Sequence, residues 1–190
     1  MTTHSATERS ARELNGWNLD DFQSTVQTVR DQPEAGRVKW QLRTDWDEGF
    51  ALDARTRQIA RLDENLARSF AIRSDHPPEL LGHDSGPTAV EILLCGLGAC
   101  VTGTYAAHAT AKGIRLEALH VDLEAEIDLN GFLQLQPTRA GLRNVRVTVM
   151  VKADASDRDL EELLDVTRRA SPVYDTVSNA VAIESTVARV

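Results

Sequence analysis

Two cysteines, Cys95 and Cys100, are the side chains in this sequence best suited to covalent chemistry. They stand five residues apart. On a helix five residues turn about 500°, which points the two thiols to faces about 140° apart. Two helical thiols so placed do not reach each other for a disulfide. A structural disulfide framework is therefore not expected, and a reducing compartment fits. A free thiol has two roles open to it. It can be a reactive thiolate where solvent and reactant reach it, or a small apolar filler where they do not. No CxxC, HExxH or Cys/His cluster with metal-ligand spacing accompanies the pair, and there is no GxGxxG or Walker loop. No metal and no cofactor is expected. His76, His83, His108 and His120 form no constellation with a nucleophile or acid. Glu124 and Glu126 alternate with apolar neighbours and read as a solvated strand face.

The bulk composition narrows the partners. The chain has 190 residues, 42% of them hydrophobic and 26% charged, with a formal net charge of −8. That supplies a core for one domain with a terminal extension. The negative balance opposes nucleic-acid backbones and anionic membranes, and no basic stripe interrupts it. The N-terminal Met1 to Arg12 is polar and has no apolar signal segment, so no signal peptide is expected and a cytoplasmic location is the expectation. Ile92 to Ala111 carries no formal charge, but its glycines, threonines, His108 and five alanines describe a buried core helix rather than a membrane span.

The elements that must position these residues follow from spacing. After a loose lead-in over 1–17, Asn18 caps a helix to about Arg30, with Leu19, Phe22, Val26 and Val29 at helical spacing. Val38, Trp40 and Leu42 alternate with polar residues, Trp46 to Gly49 reads as a turn, and Phe50–Leu52, Ile59–Leu62 and Leu66–Ile72 read as short strands of an antiparallel meander. A Pro/Gly-rich loop runs from Ser74 to Gly86. Thr88-Ala89-Val90-Glu91 is a capping box that opens a helix of roughly 24 residues, ended by Gly113. Strands are expected over Leu119–Ile127 and Val145–Val151, with a polar excursion from Asp128 to Arg143 between them. Ser156 or Asp157 caps a second helix to about Arg169, Ser171-Pro172 breaks it, and a short helical piece covers Tyr174–Asn179. Val181–Val187 reads as a final strand. Runs of strands rather than strict alternation with helices define an α+β class.

Gly86-Pro87-Thr88-Ala89-Val90-Glu91-Ile92-Leu93-Leu94, closing on Gly96-Leu97-Gly98-Ala99-Cys100, resembles the OsmC family's "GPTPxELLLAALGAC" helix. Arg169-Ala170-Ser171-Pro172-Val173 is similar to that family's "CPV" motif at the end of the second large helix. The likeness covers about Val38 to Val190, so the chain divides into an N-terminal extension, 1–36, and an OsmC-like domain, 37–190. The resemblance implies antiparallel sheets packed on a long central helix, in an intertwined homodimer. It implies a thiol peroxidase chemistry for oxidative stress: one cysteine attacks an organic hydroperoxide, a second resolves the sulfenic acid as a disulfide, and a dithiol reduces it. An Arg and a Glu assist the attacking cysteine.

Carried onto this chain, Cys100 takes the attacking position and Ser171 the resolving one. Serine cannot form a disulfide, so an external thiol reductant is implied. Glu91 lies one position after the family's catalytic Glu, where Val90 stands, and the capping box accounts for it without catalysis. Arg43, just before the turn Thr44 to Gly49, is the candidate for the assisting Arg. Two readings follow: a one-cysteine hydroperoxide reductase (an oxidoreductase), or a non-catalytic dimer of this fold that binds an apolar small molecule or is structural.

Overall fold

The structure is a computed structural model that describes residues 12–61, 64–66 and 68–189; part of the expected lead-in, residues 1–11, and Leu62 lie outside them. The chain divides into two compact units, Met1–Ile92 and Leu93–Val190. Residues 12–36 fall within the first.

In unit one a two-residue-strand hairpin, β1 (Glu13–Leu14) and β2 (Trp17–Asn18), leads into helix α1 (Leu19–Asp31). Asn18 caps it as its sequence position requires: Oδ1 accepts from the N–H groups of Asp20 and Asp21, at 2.9 and 3.3 Å. Asp20 and Asp21 place negative charge at the positive end of the helix dipole. Pro33 opens a 3-10 turn over Pro33–Gly36. Four strands then form one antiparallel sheet: β3 (Val38–Glu48), β4 (Ala51–Arg61), β5 (Glu64–Leu66) and β6 (Ala71–Ser74), with β4 pairing to the other three. β3 and β4 are longer than the sequence pattern indicated, and the expected strand Leu66–Ile72 is not a single strand: β5 ends at Leu66 and β6 begins at Ala71. Trp46 to Glu48 continue β3 instead of turning, and the turn sits at Gly49, whose carbonyl accepts from Trp46 Nε1 at 3.1 Å. Side-chain alternation gives the sheet two unlike faces. One carries Trp40, Leu42 and Trp46, all exposed. The other carries Arg43, Asp45, Asp47, Asp53, Arg55 and Arg73, joined by ion pairs such as Arg43–Asp45 and Arg73–Asp47, each 2.8 Å.

Helix α2 (Ala89–Ala111) starts on the capping box the sequence shows. Glu91 Oε2 accepts from the Thr88 N–H and hydroxyl at 2.7 and 2.8 Å, and the Glu91 N–H donates back to Thr88 Oγ1 at 3.2 Å. It ends as expected at Gly113, where φ is +74° and the next N–H, of Ile114, bonds to the Ala109 carbonyl at 2.9 Å.

Unit two holds the rest of α2 with β7 (Leu116–Ala125), a single turn α3 (Leu129–Phe132), β8 (Val145–Ala153), α4 (Asp157–Ala170) and α5 (Pro172–Ser178). β7 and β8 pair antiparallel, with Leu119 opposite Val151 and Val121 opposite Val149. Ser156 caps α4, accepting from the Asp159 N–H at 3.2 Å. The core is Tyr105, Ala109 and Leu163, with Leu119, Val149, Val151 and Leu160 packed around it. Burial of the Tyr105 ring is matched by a hydrogen bond from its hydroxyl to the Leu160 carbonyl, 3.2 Å.

Two expectations are corrected. α2 is not buried on all sides. Leu97, Val101, Tyr105 and Ala109, spaced by four, form its buried stripe, whereas Leu93, Cys95, Gly96, Ala99 and Gly103 are exposed. By length and composition it is a helix able to cross a membrane, but its buried stripe packs into a folded unit. And Val181–Val187 is not a strand: the segment has no regular structure, with Val181, Ile183 and Val187 exposed. Its period-2 pattern is genuine, but a strand needs a ladder, and no described strand of this chain pairs with it.

Candidate functional site

Cys100 sits midway along α2 and is half-buried. The residues around it are small on one side and apolar on the other: Ala99 and Gly103 are exposed, and Leu97 and Val101 are buried. Opposite the sulfur lies Ser171, wholly buried at the joint between α4 and α5. Its backbone serves both helices. The Ser171 N–H donates to the Thr167 carbonyl, and the Ser171 carbonyl accepts from the Asp175 N–H, each at 2.9 Å. Pro172 has no N–H to offer, and the Ser171 side chain caps neither helix. The hydroxyl is therefore free of local duty. It donates to Cys100 Sγ at 3.1 Å across 71 residues of sequence.

This arrangement gives a partly accessible sulfur one buried hydroxyl donor. The hydroxyl is a hydrogen-bonding partner for the sulfur and for an oxygen added to it. Ser171 cannot close a disulfide with the sulfur it faces. Cys95, five residues earlier, is exposed and unpaired with Cys100, as the helical geometry requires.

The other two sequence candidates are engaged within unit one. Glu91 completes the capping box, and the Thr88 N–H and hydroxyl hold its carboxyl below the usual carboxylate range. Nine residues separate it from Cys100, two and a half turns, which project from opposite sides of an ideal helix. Arg43 lies on the charged face of the sheet, exposed and paired with Asp45. The structure thus joins Cys100 to Ser171, while Glu91 and Arg43 are held by Thr88 and Asp45.

Sequence reasoning missed Asp75. Its side chain is wholly buried in the loop before α2. Oδ1 accepts from the His76 N–H at 2.7 Å, and Oδ2 accepts from the N–H groups of His83 and Ser85 and from the Ser85 hydroxyl, at 3.1, 3.2 and 2.8 Å. Burial pushes the carboxyl up, but these bonds outweigh it and hold Asp75 well below the usual carboxylate range. The loop closes on the start of α2: the Ser74 hydroxyl and Asp75 N–H both donate to the Pro87 carbonyl, at 2.9 and 3.2 Å. His76 stacks on Phe50 with ring centroids 4.1 Å apart. Gly82 lies so close to the His76 carbonyl that a side chain there has no room. The sequence signal was an acid directly before His76-Pro77-Pro78, a setting for side-chain-to-backbone bonding.

Known proteins bear on this geometry. A family model described as OsmC-like protein matches residues 82–186, more than half of the chain. The chain has no match among curated proteins. Among solved structures it is similar to an OsmC-like protein from Mycoplasma pneumoniae, 21% identical with a TM-score of 0.58 over 74% of this chain and 87% of that one. It is also similar to an organic hydroperoxide resistance protein OsmC from Legionella pneumophila, 15% identical, TM-score 0.51, covering 73% and 88%. A third is an organic hydroperoxide resistance protein from Elizabethkingia anophelis, 13% identical, TM-score 0.50, covering 73% and 87%. At these identities the structural likeness is one of fold. The helix of Cys100, the β7–β8 pair and the helix that ends at Ser171 all fall inside the matched residues, and the chain belongs to the OsmC-like protein family.

Proposed function

We propose that this chain is an oxidative-stress protein that reduces organic hydroperoxides with Cys100, completed by a thiol from outside the chain. The observation that carries the reading is the buried Ser171 hydroxyl donating to Cys100 Sγ at 3.1 Å. The Cys100 thiolate attacks the distal oxygen of R–O–O–H. The S–O bond forms, the O–O bond breaks, and the departing alkoxide takes a proton to leave as R–OH. Cys100 is then a sulfenic acid. Ser171 steadies that oxygen but cannot condense with it. An external thiol therefore forms a mixed disulfide and releases water, and a second thiol frees Cys100 as an external disulfide.

The same reading makes the protein a cytoplasmic homodimer. Its support is apolar surface that a single chain leaves open: Trp40, Leu42 and Trp46 on one sheet face, the small-residue side of α2, and the alternating Val181, Ile183 and Val187. The other reading, a dimer of this fold that binds an apolar small molecule or is structural, and has no redox cycle, draws its support from serine at position 171 and from the capping role of Glu91.

Sulfenic-acid trapping decides between them. With cumene hydroperoxide, dimedone labels the wild type and Cys95→Ser, and labelling is lost in Cys100→Ser. No labelling of the wild type overturns the enzyme. A Ser171→Cys variant should turn over differently: with the two sulfurs this close, peroxide yields a 100–171 disulfide instead of a trappable sulfenic acid.

A further inference from the structure

We propose that the segment 181–187 of one copy of this chain completes unit two of a second copy, as a third strand on the free edge of β8, and that the exchange is reciprocal. The inference deepens the homodimer reading above and rests on it.

The segment has the pattern of a strand and lacks a partner. Val181, Ile183 and Val187 share one parity and Ala182, Glu184 and Thr186 the other, which is the spacing of one apolar sheet face. Yet no described strand pairs with it, and Ile183 and Val187 are 86% and 97% exposed. Its root holds it in this state. Asn179, at the end of α5, has extended backbone, with φ −125° and ψ 153°. Its N–H donates to the Asp175 carbonyl at 2.9 Å, and its side-chain amide donates to the same carbonyl and to Asp175 Oδ1, each at 3.0 Å. No glycine or proline stands between Ser178 and Val187 to turn the chain back onto its own unit. Extended, residues 180–187 reach roughly 25 Å from that root.

Unit two offers the complementary half. Among the described strands β8 pairs only with β7, so its other edge presents unpaired N–H and C=O groups. Two features select that edge over the free edge of β7. The first is apolar space. Val145 and Val147 line a cavity of about 280 Å³ with Leu97, Leu164 and Val177, and β8 is the only described strand that lines it. A strand added to β8 sets its inward side chains on the same side of the sheet as those valines. The second is charge. With Val181 and Ile183 inward, Glu184 turns outward. The exposed face of β7 carries Glu117, Asp122 and Glu124, whereas that of β8 carries Arg146 and Lys152. Beside β7, Glu184 meets like charges; beside β8 it meets cations. Each copy has one such edge and one such segment, so two copies satisfy each other in a closed two-fold exchange by strand addition.

Sedimentation equilibrium of the full chain and disulfide mapping between mixed chains test the exchange. The wild type is expected to be a dimer, and Ile183→Asp, which puts a charge into the inward row, to weaken it at least 100-fold. Ile183 is exposed in the single chain, so the substitution leaves the fold of each copy intact. For the mapping, all chains carry Cys95→Ser/Cys100→Ser. Chains with Ile183→Cys are mixed with chains carrying Val145→Cys, Val147→Cys or Val149→Cys on β8, or Leu119→Cys or Val121→Cys on β7, and oxidised. A covalent dimer is expected with at least one of the β8 variants and with neither β7 variant. A wild-type dimer that Ile183→Asp leaves intact overturns the exchange while the homodimer reading stands; a monomeric wild type overturns both. Linkage to β7, or to none of the five positions, also overturns the proposal.

Discussion

Asp75 in unit one and Ser171 in unit two are both polar side chains with no solvent exposure, and they are used in opposite ways. Asp75 is saturated. Four donors from its own loop converge on its two oxygens, and nothing is left over for a ligand. Ser171 has its backbone bonded on both sides and its hydroxyl spent on a group from a distant part of the chain, a sulfur that solvent partly reaches. A saturated buried polar group organises a fold. One whose partner can itself react is placed for chemistry. The comparison teaches that burial alone does not mark a functional residue; what matters is whether its partner can change state.

The contrast breaks most visibly at Asp75. Asp75→Ala leaves three backbone N–H groups and the Ser85 hydroxyl without the buried carboxylate that satisfies them, and unsatisfied donors are costly. The thermal midpoint is expected to fall by roughly 10 °C, read by circular dichroism. An unchanged midpoint refutes the structural role. The pH dependence follows from the lowered carboxyl. A group whose folded pKa is depressed stabilises the fold above its unfolded value, about 3.9 for Asp, and that contribution is lost as pH falls toward the folded value. The stability gap between wild type and Asp75→Asn is therefore constant from pH 8 to 5 and narrows below about pH 4, measured by urea denaturation at each pH. A gap that widens on acidification is the wrong sign and sinks the argument.

Ser171→Ala should show the other pattern. A hydrogen bond to a charged group contributes about 1.5 kcal/mol, which is roughly tenfold in rate when it acts in the transition state. Peroxide oxidation of Cys100, followed by stopped-flow labelling, is expected to slow about tenfold while the thermal midpoint moves by no more than about 2 °C. If the midpoint falls and the rate holds, Ser171 is a packing residue, and the distinction from Asp75 collapses.

Much of this architecture was legible in local chemistry. The Thr88–Glu91 box, Ser156 and Gly113 are satisfied by neighbours within a few residues, so their spacing alone announces them. β7 and β8 alternate cleanly because one face packs on Tyr105 and Leu163. What failed depends on distant partners. The continuation of β3 through Trp46 needs β4 opposite it and the Gly49 carbonyl for the indole N–H. The alternation of Val181 to Val187 is strand-like, yet a strand requires a neighbour that the sequence pattern cannot supply. Asp75 gains its role only when His83 and Ser85 fold back across eight to ten residues.

The smallest expected effects are at the start of α2, and they sharpen the comparison by asking which class Glu91 belongs to. Its carboxylate accepts two bonds from Thr88 and returns one through its own N–H, so by the measure applied to Asp75 it is a structural group, though exposed. Thr88→Ala removes the capping hydroxyl, a loss of about 1 kcal/mol, and a midpoint drop of about 3 °C follows. Glu91→Gln keeps an oxygen that accepts from the Thr88 N–H but gives up the charge at the helix N-terminus, so its drop is smaller still. Neither substitution touches the Ser171 hydroxyl or Cys100 Sγ, and both variants should oxidise Cys100 at the wild-type rate. A cap and a catalytic acid make opposite demands on Glu91→Gln: small stability loss with full rate for the cap, full stability with a slowed rate for the acid. Measuring the midpoint and the Cys100 oxidation rate on one preparation separates them. A slowed rate without destabilisation would move Glu91 out of the class of Asp75 and into that of Ser171.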